Sequence, residues 1–406
     1  MSATESSAGF GALLGSLGGG STDLIAQVLA AVKEHVGADM SFLAEFRGDV
    51  KIIRRIIATG TPSLVEGICL PLEATYCSRV VCGKLPNLIL DARSDPRVRD
   101  LPITAELDIG SYLSVAVTLP DGRVFGTLCC IRHEADPSLD QRDVRFMRVL
   151  GDLIGTQLGR DEAARSERAI KSERIGQWLD GGPRMVFQPI VSLATGLIVG
   201  AEALARFEAE PSRSPDRWFA EAWDVGMGLE LEVVALRNAI GALDQLPLGA
   251  YLTVNASPAT LLSDAFAAAV LGVPRNRLVV EVTEHAMVEA YEPLVNVVKR
   301  LGAQGIRVAI DDAGAGYAGL CHIIQVAPKL LKLDLMLSRD VHADLVKQAL
   351  VSAVVGFGLR AGVDIVAEGV ENAEDANTLR RLGVPYGQGF HFARPGAMPA
   401  QLELAH

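Results

Sequence analysis

The sequence lacks a long basic segment from which a nucleic-acid site is usually built. Lysine and arginine number 38 against 49 aspartate and glutamate residues, so the formal net charge is −11. An acidic chain of this kind is a poor candidate for binding DNA, because duplex binding relies on clustered basic side chains. If the protein handles phosphates, bound metal ions or a few placed basic side chains must supply the positive field locally.

Long hydrophobic runs and an export signal are also missing. The longest uncharged apolar runs, such as residues 350–359, reach only about half of a membrane span. The first seven residues, MSATESS, have no basic start, and the Gly-rich stretch that follows has no convincing cleavage site. We therefore expect a cytoplasmic protein that does not enter a membrane.

Cysteine is sparse, and its spacing does not resemble that of a zinc site. Five of the six cysteines lie in the first third of the chain and one stands apart: Cys69, Cys77, Cys82, Cys129, Cys130 and Cys321. No pair of CxxC motifs occurs with the spacing of zinc ligands. Buried reduced thiols are the favoured interpretation, and redox or metal sensing are the alternatives.

The pattern of the first part of the chain predicts a small α+β domain after a Gly-rich segment. Residues 1–21 are expected to form a flexible N-terminal segment. Over residues 22–158, a helical pattern is followed by short alternating or apolar runs separated by turns. A helical stripe then continues, so residues 159–183 are expected to be a helical connector that ends near Gly181.

The pattern changes after residue 184 and predicts an α/β fold. Eight compact apolar runs alternate, mostly, with segments of helix length over residues 184–406. This arrangement favours a TIM-type (β/α)8 barrel. An open doubly wound sheet is the alternative, but its glycine-rich dinucleotide fingerprint is missing.

Polar residues stand at or near the carboxyl ends of these apolar runs. They are Glu202, Asn255, Glu281, Asp311, Asp312, Lys332, Glu368 and Gln388. One acid after a strand is usually a helix cap, but such residues on consecutive strands converge on the active-site face of a barrel. Crowded carboxylates need cations, and hard oxygen ligands suit Mg²⁺ or Mn²⁺ better than zinc. The adjacent Asp311 and Asp312 are spaced to hold two ions.

The motifs of this region, taken in order, resemble those of the EAL-domain cyclic di-GMP phosphodiesterases. They stand here as Gln188-Pro189-Ile190, Glu202-Ala203-Leu204-Ala205-Arg206, Val254-Asn255-Ala256-Ser257, Glu281-Val282-Thr283-Glu284, Asp311-Asp312, Lys332-Leu333-Asp334, Glu368-Gly369-Val370-Glu371 and Gln388-Gly389-Phe390. Each motif alone is weak, but the full ordered set is highly specific.

The resemblance implies metal-dependent hydrolysis of cyclic di-GMP to linear pGpG. The implied metal ligands are Glu202, Asn255, Glu281, Asp311 and, for a second ion, Asp312. The implied catalytic residues are Lys332, which orients or activates water, and Glu368, which acts as a base or holds the water. The implied substrate-binding residues are Gln188, Arg206 and Gln388, and Glu284 is implied to support a loop.

The loop after Asp312 departs from the family pattern. Ala313 stands in place of an aromatic residue, and Ala318-Gly319 stand in place of two serines. In the family this loop is associated with metal retention and dimer coupling. The alternative function is therefore a non-catalytic cyclic di-GMP receptor that signals through the connector helix.

Residues 22–158 resemble a GAF sensory domain, with less specific motifs. The segments that carry this resemblance are residues 75–81, 89–96 and 126–130. No cysteine here is followed by histidine, as is typical of bilin attachment, and no GGDEF-like segment indicates a synthase. We expect this domain to regulate the barrel, with an unidentified small ligand as one option, and the chain to form a homodimer.

Overall fold

The computed structural model describes residues 21–60, 64–210, 212–283, 291–313 and 328–399. The chain divides into two compact units, Met1–Glu167 and Arg168–His406. The predicted flexible segment lies outside the described residues apart from its last residue, Ser21, which begins the first helix. In the described part of the chain, no helix combines the length and the apolar character needed to cross a bilayer.

The first unit is an α+β domain built on an antiparallel sheet. Its strands are β1 (Met40–Arg47), β2 (Val50–Ala58), β3 (Cys69–Pro71), β4 (Leu88–Ile89), β5 (Ser111–Thr118) and β6 (Val124–Arg132). They lie in the order β3-β2-β1-β6-β5-β4. Its helices are α1 (Ser21–Val36), α2 (Tyr76–Val81), α3 (Pro102–Glu106) and the start of α4 (Gln141–Gly176).

This sheet buries both of its faces, because successive side chains of a strand point to opposite sides. On one face, Leu113 and Cys130 pack with apolar residues of α1 and α4. On the other face, the neighbouring residues Tyr112 and Cys129 pack with residues of α2. The two adjacent cysteines of β6 therefore lie in different cores.

Helix α4 ends earlier than the sequence pattern suggests. It stops at Gly176 rather than near Gly181. Trp178, just beyond it, belongs to the second unit and packs edge-on against Phe207 and Trp218 of the same unit, with ring centroids 5.2 and 5.9 Å away. Where the sequence pattern predicts a last helical turn, the chain instead packs Trp178 against these two rings.

The second unit is a closed barrel of eight strands within the described residues. The strands are β7 (Arg184–Ser192), β8 (Ile198–Arg206), β9 (Tyr251–Asn255), β10 (Leu278–Thr283), β11 (Arg307–Ala313), β12 (Leu330–Leu333), β13 (Asp364–Ala367) and β14 (Tyr386–Gly387). The helices around them are α5 (Pro215–Val225), α6 (Gly228–Gly241), α7 (Pro258–Leu261), α8 (Asp264–Ala269), α9 (Tyr291–Ala303), α10 (Leu335–Ser338), α11 (Leu345–Ala361) and α12 (Ala373–Arg381).

The barrel confirms the predicted fold class, and one strand runs against the others. Strand β7 is antiparallel to both of its neighbours, β8 and β14, while the remaining pairs are parallel. Only residues 193–197 connect β7 to β8. A connection this short makes a hairpin, since a parallel crossover needs a dozen or more residues.

Candidate active site

The site is the polar layer above an apolar layer inside the barrel. The apolar layer includes Val279, Ala309, Leu330 and Val366, one each from β10 to β13. Side chains alternate along a strand, so residues two positions later face the same interior. Those residues are Glu281, Asp311, Lys332 and Glu368. The two-residue period of the strands therefore places these polar side chains directly above the apolar layer.

Lys332 lies at the centre of this layer. Its Nζ is 2.6 Å from Oε1 of Glu368 and 2.9 Å from Oε2 of Glu281. It is 3.4 Å from Oε2 of Glu202 and 3.4 Å from Oδ1 of Asp311. One ammonium thus contacts four carboxylates on four other strands or strand ends. The structure therefore brings together four of the acids singled out in the sequence.

The cluster is buried, and this perturbs its ionisation. Burial works against the charge of Lys332, but the four carboxylates, Glu202 foremost, hold the pKa of its ammonium well above the usual range. Burial also opposes ionisation of Glu202, yet the charge of Lys332 and a hydrogen bond from Gln388 keep its pKa below the ordinary value. Each group depends on the charge of its neighbours.

The other two glutamates have raised pKa values. Burial, followed by repulsion from Glu202 and Asp311, raises the pKa of Glu281 well above its ordinary value, against the opposing charge of Lys332. Burial also raises the pKa of Glu368 to about 7. Perturbed groups of this kind gather at functional sites.

The cluster fits a divalent cation in its chemistry. The four carboxylates carry more negative charge than one ammonium neutralises. Among the described residues, Oε1 of Glu281 and Oε1 of Gln388 are buried without a hydrogen-bond partner. Carboxylate and amide oxygens are the ligands that Mg²⁺ and Mn²⁺ prefer. The acids surround Lys332, and in the described part of the chain no three of them form a ready-made metal site.

Amide side chains hold Glu202 in place. Gln388 donates from Nε2 to Oε2 of Glu202 at 2.6 Å and to Oε1 of Gln188 at 3.1 Å. Asn255 donates from Nδ2 to the other oxygen of Glu202 at 3.2 Å. Three further residues singled out in the sequence therefore belong to the same network as Lys332.

A cavity of about 470 Å³ opens beside the network. Its lining includes Arg206, Phe219, Asn255, Ser257 and Glu281. Arg206 is the cationic member, and its Nη1 donates to the carbonyl oxygen of Ala205 at 2.8 Å. An arginine that lines a cavity suits a ligand that carries phosphate.

Glu232 is a residue of this cavity that the sequence did not single out. One of its carboxylate oxygens accepts a hydrogen bond from the backbone N–H of Ser257 at 2.9 Å, and the other accepts from Nε1 of Trp223 at 2.8 Å. It thereby fixes the turn that follows Asn255. No motif marks Glu232 in the sequence, because it lies within an ordinary helical segment, α6.

Two glycines allow the chain to turn directly after site residues. Gly369 follows Glu368 with φ of +62°, and a Cβ there would lie 2.9 Å from Cβ of Leu335. Gly389 follows Gln388, and a Cβ there would lie 2.2 Å from the carbonyl oxygen of Val370. Side chains at these positions would displace the backbone that carries Glu368 and Gln388.

Some predicted features lie outside the described residues. These are Glu284, the side chains of Asp312 and Ala313, and the pair Ala318-Gly319. Their roles stay predictions.

Comparison with protein families gives two matches. The family model described as EAL domain matches residues 178–395, and the model described as GAF domain matches residues 20–158. A cyclic di-GMP phosphodiesterase of Pseudomonas aeruginosa is 27% identical over 351 residues, covering 83% of this chain and 55% of that protein. A probable cyclic di-GMP phosphodiesterase of Escherichia coli is 29% identical over 225 residues, covering 52% of this chain and 28% of the relative. The chain thus spans about half the length of the Pseudomonas relative.

Solved structures show the same fold at lower identity. The EAL enzyme Bd1971, in its cAMP- and cyclic di-GMP-bound form, aligns with a TM-score of 0.53 and 19% identity over 89% of this chain and 91% of that chain. The FimX EAL domain of Xanthomonas citri, in complex with cyclic di-GMP, aligns with a TM-score of 0.52 and 21% identity over 58% of this chain and 97% of that chain. These likenesses concern the fold alone.

Proposed function

This chain belongs to the EAL domain family, with a GAF domain ahead of the EAL domain, and from that premise we propose that it hydrolyses cyclic di-GMP to linear pGpG. Two relatives support the substrate: the one from Pseudomonas aeruginosa is named a cyclic di-GMP phosphodiesterase, and the one from Escherichia coli a probable cyclic di-GMP phosphodiesterase. The observation that carries the proposal is the convergence of four buried carboxylates on Lys332 beside a cavity.

The proposed reaction depends on Mg²⁺ or Mn²⁺. The residues that would hold the first ion are Glu202, Asn255, Glu281 and Asp311, with Asp312 contributing to a second. When bound, such ions stabilise the negative charge that develops on the phosphate and on the attacking and leaving oxygens. The uncompensated charge and the unpartnered oxygen of Glu281 support this assignment.

Glu368 and Lys332 are the proposed catalytic residues. A pKa of about 7 for Glu368 suits a group that accepts a proton from the attacking water near neutral pH. Lys332 holds that carboxylate at 2.6 Å and orients it. Arg206 would meet a substrate phosphate, and Gln188 and Gln388 would lie along the nucleotide.

Metal dependence is the experiment that tests this proposal. The full chain is incubated with cyclic di-GMP in EDTA and then with Mg²⁺, Mn²⁺ or Ca²⁺, and pGpG is measured by chromatography. We expect no product in EDTA, recovery with Mg²⁺ or Mn²⁺, and none with Ca²⁺, whose looser coordination positions water poorly. Binding measured by calorimetry without any product in Mg²⁺ or Mn²⁺ would instead assign a non-catalytic receptor.

The proposal also covers the role of the first unit and the oligomeric state of the chain. The GAF domain would regulate the barrel, with a small ligand of its own as one option, and the chain would act as a homodimer. The GAF match over residues 20–158 supports the regulatory role.

A further inference from the structure

The first unit contains a buried polar cluster that the proposed hydrolysis does not use. Lys51 of β2 is 2% exposed, Cys77 of α2 is 1% exposed and Cys129 of β6 is fully buried. Tyr112 and Ser114 of β5 complete the cluster and are buried as well. A lysine inside an apolar core is uncommon, because a buried charge needs a partner.

The two sulfurs contact each other, and the sulfur of Cys77 also contacts the lysine. Nζ of Lys51 donates to Sγ of Cys77 at 3.2 Å, and the Sγ atoms of Cys77 and Cys129 are 3.6 Å apart. The hydroxyl of Tyr112 lies 3.2 Å from the first sulfur and 3.4 Å from the second. Two cysteines 52 residues apart in sequence thus lie side by side in a cluster formed by four elements, β2, α2, β5 and β6.

The surroundings make the two thiols unequal. Burial opposes ionisation of Cys77, but a hydrogen bond from Cys129 and the charge of Lys51 hold its pKa well below the usual range. For Cys129, burial and the neighbouring Cys77 raise the pKa well above the usual range. In the described structure the ammonium of Lys51 also lies 4.8 Å from the centroid of the Phe42 ring, which fixes it on the Cys77 side.

We propose that Cys77 and Cys129 form a redox-active pair, in which Cys77 is oxidised by a hydroperoxide and Cys129 then closes a disulfide. Cys77 is the attacking sulfur because it contacts the ammonium of Lys51. The site stands independently of the chemistry proposed for the barrel.

The proposed steps balance with hydrogen peroxide as oxidant. The thiolate of Cys77 attacks one peroxide oxygen, so an S–O bond forms and the O–O bond breaks. The hydroxide that leaves takes a proton from the Lys51 ammonium and becomes water. Cys129 then attacks the sulfenic sulfur; the S–S bond forms, the S–O bond breaks, and the hydroxide that leaves takes the Cys129 proton as a second water. Two electrons pass from the sulfurs to the peroxide.

The sulfurs need little movement to close the disulfide. A disulfide requires a separation of about 2.05 Å, so closing the 3.6 Å gap takes less than about 1 Å from each sulfur. Cys130, the next residue, lies in the other core of the sheet, and burial alone raises the pKa of its thiol. Cys130 therefore serves as the control, because it is a buried cysteine whose pKa is shifted by burial alone.

Disulfide mapping of the full chain tests the proposal directly. The reduced protein is treated with hydrogen peroxide, free thiols are alkylated, and peptides are analysed by mass spectrometry. We expect a peptide pair linked through Cys77 and Cys129, reversed by dithiothreitol, while Cys130 stays alkylated as a free thiol after unfolding. The proposal is overturned if both cysteines stay reduced while the exposed Cys69 and Cys82 are oxidised.

Two variants test the assigned roles. Lys51→Met should slow disulfide formation at least about tenfold, since the thiolate is the reacting species, whereas Lys84→Met, at an exposed lysine, should not. In Cys129→Ser, dimedone should trap a sulfenic acid on Cys77. Equal rates for folded Lys51→Met and wild type would overturn the role of Lys51. If Lys51→Met does not fold, the wild-type mapping and the dimedone result decide the proposal.

Discussion

At the scale of single residues, the barrel centre is organised by one lysine. Lys332 is itself buried, and it neutralises part of the charge of Glu202, Glu281, Asp311 and Glu368. A buried ion pair contributes little net stability, but removing one partner leaves unbalanced charge and costs about 3–5 kcal/mol. Lys332 and a bound cation would therefore balance the same carboxylates, so loss of the lysine should change how strongly the cation stabilises the fold.

This coupling predicts the behaviour of Lys332→Met. In EDTA the variant should melt well below wild type, because four carboxylates lose their shared ammonium. Mn²⁺ should raise its melting temperature more than that of wild type, since a cation that binds the folded state stabilises it. Lys329→Met, at the exposed residue just before β12, is the matched control. Melting curves unaffected by Mn²⁺ in the variant would contradict a metal site here.

Glu368→Gln keeps the size of the side chain and removes its charge. If Glu368 accepts the proton of the attacking water, kcat should fall by about 100-fold or more while KM changes little. Asp364→Asn, at the exposed start of the same strand β13, should leave both constants unchanged. A variant that loses thermal stability but keeps its kcat would assign Glu368 a structural role instead.

At the scale of elements, strand periodicity explains what the sequence could predict. Polar residues at strand ends pointed to a shared face because alternation and barrel closure bring such ends together. The contacts of Lys332 with all four acids were not predictable, since they depend on rotamers and on the closed geometry. Glu232 was missed for a related reason: its role depends on a backbone N–H of another element.

The antiparallel strand β7 and the cluster of Lys51, Cys77 and Cys129 also could not be predicted from local sequence patterns. The short connection before β8 is visible in the sequence, but the order of the strands around the barrel is set by closure. Lys51 and Cys77 are 26 residues apart, and no local pattern links them. Contacts between distant segments of this kind follow from packing on the sheet, which the cysteine spacing alone does not encode.

Helix α12 offers a test of element stability. Asp375, fully buried, accepts hydrogen bonds from the backbone N–H groups of Asp340 and His342, from Nδ1 of His342 and from Nδ2 of Asn372. Asp375→Asn should lower the free energy of unfolding by about 1.5–3 kcal/mol, because hydrogen bonds to a charged group are lost. Glu374→Gln, at the exposed neighbour, should have almost no effect.

The loss of unfolding free energy caused by Asp375→Asn should depend on pH in a defined direction. Burial opposes the shift, but hydrogen bonds from His342 and Asn372 lower the pKa of Asp375, so its contribution is present above about pH 4 and fades as pH falls through the folded-state value. The hydrogen bond to Asp375 raises the pKa of His342, so its contribution is present below about pH 6.5 and fades as pH rises through the folded-state value. Urea titrations should therefore show the largest difference between wild type and Asp375→Asn from about pH 4 to 6.5. A pH-independent difference would contradict this account.

At the scale of the whole molecule, the predicted family and the two fold classes are confirmed by the EAL and GAF matches and by the closed barrel. The activity, the ions, the domain boundaries and the site roles remain predictions. Residues 314–327, which include the departures Ala318 and Gly319, lie outside the described residues.

Regulation by the first unit predicts a difference between the full chain and a fragment that begins at Arg168. This boundary keeps Ile175 and Trp178, which pack with Phe207 and Trp218. We expect the fragment to differ from the full chain several-fold in pGpG formation and to form dimers less readily. Rates are compared at several protein concentrations, with sedimentation to give the oligomeric state. Identical rates and identical association would contradict regulation by this route.

The most direct test of the central claim is a single-turnover assay with the full chain in excess over cyclic di-GMP. Excess protein reveals hydrolysis even when turnover is slow, and chromatography separates pGpG from the cyclic substrate. The account predicts complete conversion with Mn²⁺, none in EDTA, and none with Mn²⁺ in Glu202→Gln, while Glu208→Gln, at an exposed acid nearby, converts as wild type does. Recovery of intact cyclic di-GMP from wild-type protein that binds it in Mn²⁺ would contradict the account.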